Sequence, residues 1–254
     1  MSISVAMAVC NGEKYIEQQL NSIIHNLKKE DEIIISYNAS EDATLEMIEE
    51  AAHQLPIIKV YSCEEKGVIA NYENAISHCN NEYIFLADQD DVWTDNKVEK
   101  VMECFEKEHA ILVMHDSQYT DDDLNHQNMT LFTDKDIKQG YVHNLINNCY
   151  DGCCLAFHRD LIKMILPIPR SVSMHDQWIG LVAEKVGSVS FCNEKLLQHR
   201  RHGDAAKKKY GLSMIFRTSY QVTRRLQEMN SYVRYLNGIW KGPKNNGTEQ
   251  KEKA

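Results

Sequence analysis

Residues 83–93 read YIFLADQDDVW. An apolar run suited to a buried strand ends in three carboxylates, Asp88, Asp90 and Asp91, within four positions. Neighbouring acids at a strand end repel one another unless a cation neutralises them. Ligands of open α/β sheets bind at the carboxyl ends of the strands. Asp88 and Asp90, as alternate residues, can face the same way and offer oxygens to a hard ion. Mg2+ or Mn2+ held by one or two carboxylates keeps positions for phosphate oxygens. The competing reading is a solvated acidic turn that caps a helix beginning near Asn96, and spacing alone leaves both open.

The segments before this stretch alternate. ISVAMAV (3–9), EIIISY (32–37) and PIIKVYS (56–62) suit buried strands. EKYIEQQLNSIIHNL (13–27), DATLEMIEEAAHQL (42–55) and NYENAISHC (71–79) carry apolar residues at helical spacing, and Asp42 is placed to N-cap the second. Strands alternating with helices predict right-handed βαβ units and a mainly parallel sheet, and apolar runs such as EIIIS predict cover on both faces. After residue 94 an amphipathic helix (97–108), a strand (110–119), a polar excursion (121–129) and a compact stretch, YDGCCLAFHRDLI (150–162), follow. A further strand is expected over 187–198. From Leu212 to Trp240 apolar residues recur every three or four positions, which predicts a long amphipathic helix, and the last residues are polar.

With 254 residues, 43% hydrophobic and 26% charged, the chain has the make-up of an ordinary globular protein. A net charge of −9 argues against nucleic acid as a partner. The charge is uneven, because residues 200–244 hold eleven Lys/Arg against two Asp/Glu. That segment suggests an anionic partner. The eight cysteines form no CxxC or Cys/His zinc spacing. No secretory signal precedes the first strand and no apolar run reaches a bilayer-spanning length, so reduced thiols in a cytoplasmic protein are expected.

Seven stretches then fall in one order: SVAMAVCNGEKYIEQQLNSI (4–23), NASEDAT (38–44), EKGVIANYENAI (65–76), LADQDDVW (86–93), DGCCLAFHRDL (151–161), MHDQW (174–178) and HRRHGDAA (199–206). The ordered set resembles the family-2 glycosyltransferases with the GT-A fold. Its ADQDDVW form is especially similar to bacterial rhamnosyltransferases of polysaccharide assembly. The resemblance covers roughly residues 3–205 and implies an α/β, Rossmann-like domain over 1–205, while the apolar spacing and the polar tail place a C-terminal helical extension over 206–241 and a disordered tail over 242–254.

It also implies roles. Asp88 and Asp90 match the DxD motif, which holds a divalent metal (Mn2+ or Mg2+) and donor hydroxyls, with His202 completing the metal site. Gly67 and Asn71 match a loop near the donor, Asn38 a position that contacts its base, and Arg200 and Arg201 are placed to clamp the diphosphate. Asp91 is a further hydroxyl acceptor or an N-cap. Asp176 matches the catalytic base, and His175 and Trp178 would shape the acceptor pocket, with Asp151 and Gly152 at an acceptor-side turn. Cys10 and Tyr37-Asn38 depart from the family's usual Tyr and acidic pair. The residues do not separate a dTDP- from a UDP-sugar donor.

The implied activity is metal-dependent, inverting sugar transfer, with rhamnose first, to a saccharide or undecaprenyl-diphosphate-linked acceptor. A catalytically inactive saccharide-binding or scaffolding module is the alternative. The basic, aromatic-bearing KKKYGLSMIFRTSYQVTRRL (207–226) suits either an anionic membrane surface or packing on the domain or on a second copy of the chain.

Overall fold

A computed structural model describes residues 1–135 and 137–202 of the chain. The C-terminal extension and tail expected from the sequence lie outside the described residues.

The first half is the expected βαβ series. It runs β1 (Ile3–Val9), α1 (Ile16–Ile24), β2 (Glu32–Tyr37), α2 (Thr44–Gln54), β3 (Ile58–Ser62), α3 (Val68–Ser77) and β4 (Tyr83–Ala87). β1 pairs in parallel with β2 and β4, and β2 with β3. The pairings Val9↔Tyr37, Tyr37↔Ser62 and Met7↔Ala87 bring four strand ends to one edge. Ile33, Ile34 and Ile35 are all buried, as a sheet covered on both faces requires. α1 buries Ile16, Gln19, Leu20 and Ile23, and α3 buries Ala70, Asn71, Tyr72, Ala75 and Ile76, each a stripe at helical spacing.

The second half comprises β5 (Val92–Trp93), α4 (Lys97–Glu108), β6 (Leu112–Thr120), β7 (His126–Thr130), α5 (Leu131–Lys135), α6 (Tyr141–Ile146), β8 (Leu155–His158), α7 (Ile162–Ile165), α8 (His175–Val186) and β9 (Val189–Arg200). Together the described strands make one mixed sheet in the order β3-β2-β1-β4-β8-β6-β9-β5, with β7 on β6. β8 runs antiparallel between β4 and β6. β9 runs parallel to β6 and receives β5 in antiparallel register at Val92↔Gln198 and Trp93↔Leu197. The acidic turn between β4 and β5 is thereby pressed against the last residues of β9.

Three local expectations change. The compact stretch after residue 150 contains a strand, β8, whose four residues are too few to show a period. The polar excursion over 121–129 is a hairpin turn leading into β7. Its edge residues are polar because much of that strand faces solvent. Asp42 precedes the N-cap of α2, which is Ala43, though Asp42 Oδ1 still accepts from the Thr44 N–H at 3.1 Å. No helix among the described residues is long and apolar enough to cross a membrane.

Candidate active site

A cleft of about 500 Å³ opens where β1, β2 and β4 end, lined by Cys10, Asn38, Gly67, Asn71, Asp88 and Asp90 among others. The sequence expectation of a pocket at the strand ends is met, and five predicted donor-side residues meet in it. Gly67 stands at φ +120°, a conformation open to glycine, and begins α3. Asn71 Nδ2 donates to the Val9 carbonyl at 3.1 Å, while its buried Oδ1 has no partner among the described residues. Asn38 is committed to the scaffold. Its Nδ2 donates to the Cys63 and Glu65 carbonyls at 2.7 and 3.1 Å, and its Oδ1 accepts from the Gly67 N–H at 3.3 Å. It shapes one end of the cleft by tying the segment after β3 to the start of α3.

The acids divide their work. Asp88 accepts at Oδ1 from the buried Tyr72 hydroxyl, which also donates to the Ala87 carbonyl at 2.9 Å. Burial, then the charges of Asp91 and Asp90, push its carboxyl up to about 7. Gln89 turns back and pairs twice with the Cys10 backbone: Cys10 N–H donates to Oε1 and Nε2 donates to the Cys10 carbonyl, both at 2.8 Å. Gly12 leaves room for this pairing, because a Cβ there would stand 2.6 Å from Gln89 Oε1 and displace the amide. Asp90 Oδ2 lies 2.9 Å from His202 Nε2, and His202 Nδ1 lies 2.6 Å from Asp122 Oδ1. Burial lowers the pKa of His202, but its contacts with Asp90 and Asp122 outweigh that and raise it. Asp91 is neither an N-cap nor exposed to a ligand hydroxyl. It is buried, accepts from the Arg200 N–H at 3.0 Å, and Asn96 precedes α4 instead. Oxygens of Asp88, Asp90 and Asp91 lie within 4.8 Å of one another.

Arg200 is placed differently from the diphosphate clamp expected of it. It is 5% exposed, and its side chain donates to the Asp122 and Asp90 carbonyls and to Gln18 Oε1 while lying over the Tyr15 ring. A guanidinium so engaged does not present its fork to a phosphate; it straps the DxD turn to α1 and to the β6–β7 turn. Arg201 pairs with Asp134 at 3.1 Å and lies over Tyr119, away from the cleft.

On the other side of Tyr72 stands the start of α8. Asp176 is 5% exposed, and its Oδ1 accepts from Asn148 Nδ2 at 3.0 Å and from the Gln177 N–H at 2.6 Å. Burial raises its pKa, against the pull of His175 and Lys135. His175 stacks on Tyr72 at 4.1 Å, and both of its buried nitrogens lack hydrogen-bond partners among the described residues. Gly152 lets the imidazole approach, since a Cβ there would stand 2.6 Å from His175 Nε2. Asp151 pairs with Lys135 at 3.0 Å. Burial would raise its carboxyl, but Lys135 and His199 hold it well below the usual carboxylate range. Trp178 does not shape an acceptor pocket. It is 1% exposed, and its Nε1 donates to the Ile165 carbonyl at 2.9 Å inside the core.

Tyr72, Gln89, Asp122, Asn148 and His199 were missed in the sequence. Tyr72 sits on the buried stripe of α3, where an aromatic reads as core. Gln89 is the unassigned middle residue of the acid motif. Asp122 lay in a polar excursion, and only the β6–β7 turn brings it to His202.

A family model described as "Glycosyl transferase family 2" matches residues 4–166. The chain is 36% identical over 104 residues to the dTDP-rhamnosyl transferase RfbG of Shigella flexneri, covering 39% of this chain and 36% of that protein. It is 22% identical over 211 residues to the uncharacterized glycosyltransferase alr2836 of Nostoc sp., covering 80% and 66%. The chain thus spans between about a third and two thirds of the length of these relatives. Among solved structures, S. aureus TarS 1–349 in complex with UDP-GlcNAc superposes with a TM-score of 0.66 at 17% identity, covering 92% of this chain and 73% of that one. The mannosyltransferase PcManGT of Pyrobaculum calidifontis, in complex with GDP-Man and Mn2+, gives 0.60 at 15% identity, covering 95% and 65%. At these identities the likeness is one of fold, the GT-A arrangement of a mixed sheet with flanking helices.

Proposed function

Because the chain belongs to glycosyl transferase family 2, we propose that it transfers a sugar, with inversion, from a nucleoside-diphosphate donor to an acceptor hydroxyl. The observation that carries this reading is the meeting of Asp88, Asp90, Gly67 and Asn71 in one cleft at the strand ends, with His202 laid against Asp90. A dTDP- or UDP-linked sugar, rhamnose first, is the donor class. The likeness to a dTDP-rhamnosyl transferase supports it. The acceptor is a saccharide or a lipid-diphosphate-linked saccharide of a surface polysaccharide.

Asp88, Asp90 and His202 fit a divalent cation, Mn2+ or Mg2+. The Asp88 and Asp90 carboxylates lie together, with His202 Nε2 2.9 Å from Asp90 Oδ2, and the crowding of Asp88 by Asp90 and Asp91 is the kind that a cation relieves. When bound, such an ion supplies Lewis acidity to the departing diphosphate. The chain's own residues do the rest. Gln89 fixes the end of β1 against the acid turn, and the strap from Arg200 holds that turn to β9. Asn71 Nδ2 holds the Val9 carbonyl at the end of β1. Asp176, ionised and held by Asn148, takes the acceptor hydroxyl proton. As it does so, the acceptor oxygen bonds to the anomeric carbon, and the electron pair of the cleaved C–O bond leaves with the nucleoside diphosphate.

The test is to incubate the full chain with Mn2+ and a panel of nucleotide sugars, following nucleoside diphosphate release with and without saccharide acceptors. Acceptor-stimulated release from one donor is expected. Release from none, together with no metal-dependent binding of any donor, overturns the reading.

A further inference from the structure

A second cluster shares Asp91 with the acid turn, and none of its residues lines the cleft. Asp91 comes from the β4–β5 turn, Cys153 from the turn before β8 and His199 from the end of β9. One carboxylate oxygen, the thiol sulfur and one imidazole nitrogen lie within 4.8 Å of one another. Cys153 Sγ stands 3.9 Å from His199 Nδ1. Asp91 is 1% exposed, and its Oδ2 is buried with no hydrogen-bond partner among the described residues. An unpaired buried carboxylate oxygen is costly and calls for a partner. Asp151 Oδ1 lies 3.3 Å from the same sulfur, next to a fourth position.

We propose that Asp91, Cys153 and His199 form a transition-metal site, suited to Zn2+, that adjoins the Asp88–Asp90 donor site through Asp91. Thiolate, imidazole and carboxylate together form the borderline-soft donor set that tetrahedral zinc takes, whereas Mg2+ and Mn2+ prefer oxygen. Ligands about 2.0–2.3 Å from a tetrahedral zinc stand roughly 3.3–3.6 Å from each other. The observed 3.9 Å between sulfur and nitrogen needs a few tenths of an ångström of adjustment, and the carboxylate oxygen, within 4.8 Å of both, closes by a side-chain rotation. On binding, the Cys153 thiol and the His199 imidazolium, which despite its burial the surrounding carboxylates keep protonated, each give up a proton to solvent, and the two ligate as thiolate and neutral imidazole. The two negative ligands then balance the dication. The three ligands come from segments far apart in sequence, so the ion pins the acid turn to β9 and to the turn before β8. The proposal does not depend on the reaction proposed above, since its readouts are metal binding and stability.

Co2+ is the probe, added to the full chain carrying Cys10→Ser, which removes the exposed thiol of the donor cleft. One equivalent of cobalt should give a thiolate-to-metal band in the near ultraviolet and tetrahedral d–d bands in the visible. Both should persist in Asp90→Ala and disappear in Cys153→Ser and in His199→Gln. Zn2+ should raise the melting temperature of the parent but of neither of these two variants. Their metal-free melting transitions report folding, and if Cys153→Ser does not fold, His199→Gln decides. The site is ruled out if no thiolate band appears, if the band survives Cys153→Ser, or if Asp90→Ala abolishes it.

Discussion

The Tyr72 ring lies 4.1 Å from the His175 ring, with 21° between their planes, and joins the two sides of the site. On one side its hydroxyl donates to Asp88. On the other, His175 begins the helix that carries Asp176. Tyr72→Phe keeps the stack and deletes the hydrogen bond. A hydrogen bond to a charged group contributes about 1.5–3 kcal/mol, so binding of Mn2+ with nucleoside diphosphate should weaken by roughly 10- to 100-fold. Calorimetric titration measures this, and unchanged affinity would reduce Tyr72 to a packing residue.

Asp176 must be ionised to accept a proton. Burial raises its pKa, so activity should be lost, as pH falls, at a higher pH than an ordinary aspartate near ~4 would give. Asn148→Ala removes a donor to the carboxylate. The acid limb of the kcat/KM profile should then move further up. Asp176→Asn should lower kcat by about 100-fold or more while donor affinity, followed by titration, stays within about twofold.

Trp178 belongs to the core. Trp178→Phe leaves the Ile165 carbonyl without its indole donor and leaves a small void. A stability loss of about 1–3 kcal/mol is expected in denaturant titration. KM for the acceptor should not change, and a raised KM at unchanged stability would restore the pocket role.

Arg200→Lys tests a strut against a phosphate clamp. A lysine cannot reproduce the contacts to Asp90, Asp122 and Gln18 together. Thermal unfolding should show a loss of about 1–3 kcal/mol, and nucleoside diphosphate affinity should fall by no more than the disturbed turn requires. Loss of diphosphate affinity alone, with the melting temperature unmoved, would favour the clamp.

Much of the parallel half was legible because its determinants are local. An apolar run of strand length, a helical stripe and a glycine that must adopt φ +120° each act within a few residues, so Ile33–Ile35, α3 and Gly67 could be located from the chain alone. So could the acids at the end of β4, since a βαβ series puts its strand ends on one edge. The sequence by itself therefore determined the layers of the first half, the place of Asp88 and Asp90, and the family. What only the tertiary structure decided depends on partners far along the chain. Arg200 looks like a phosphate ligand until the β9–β5 pairing sets it against residues 18, 90 and 122. Trp178 looks like a pocket wall until α8 turns it toward Ile165. Cys153 looks like filler until His199 and Asp91 arrive beside it. Side-chain roles in such places follow from which strands become neighbours, and that choice is made by burial summed over the whole sheet rather than by any short stretch.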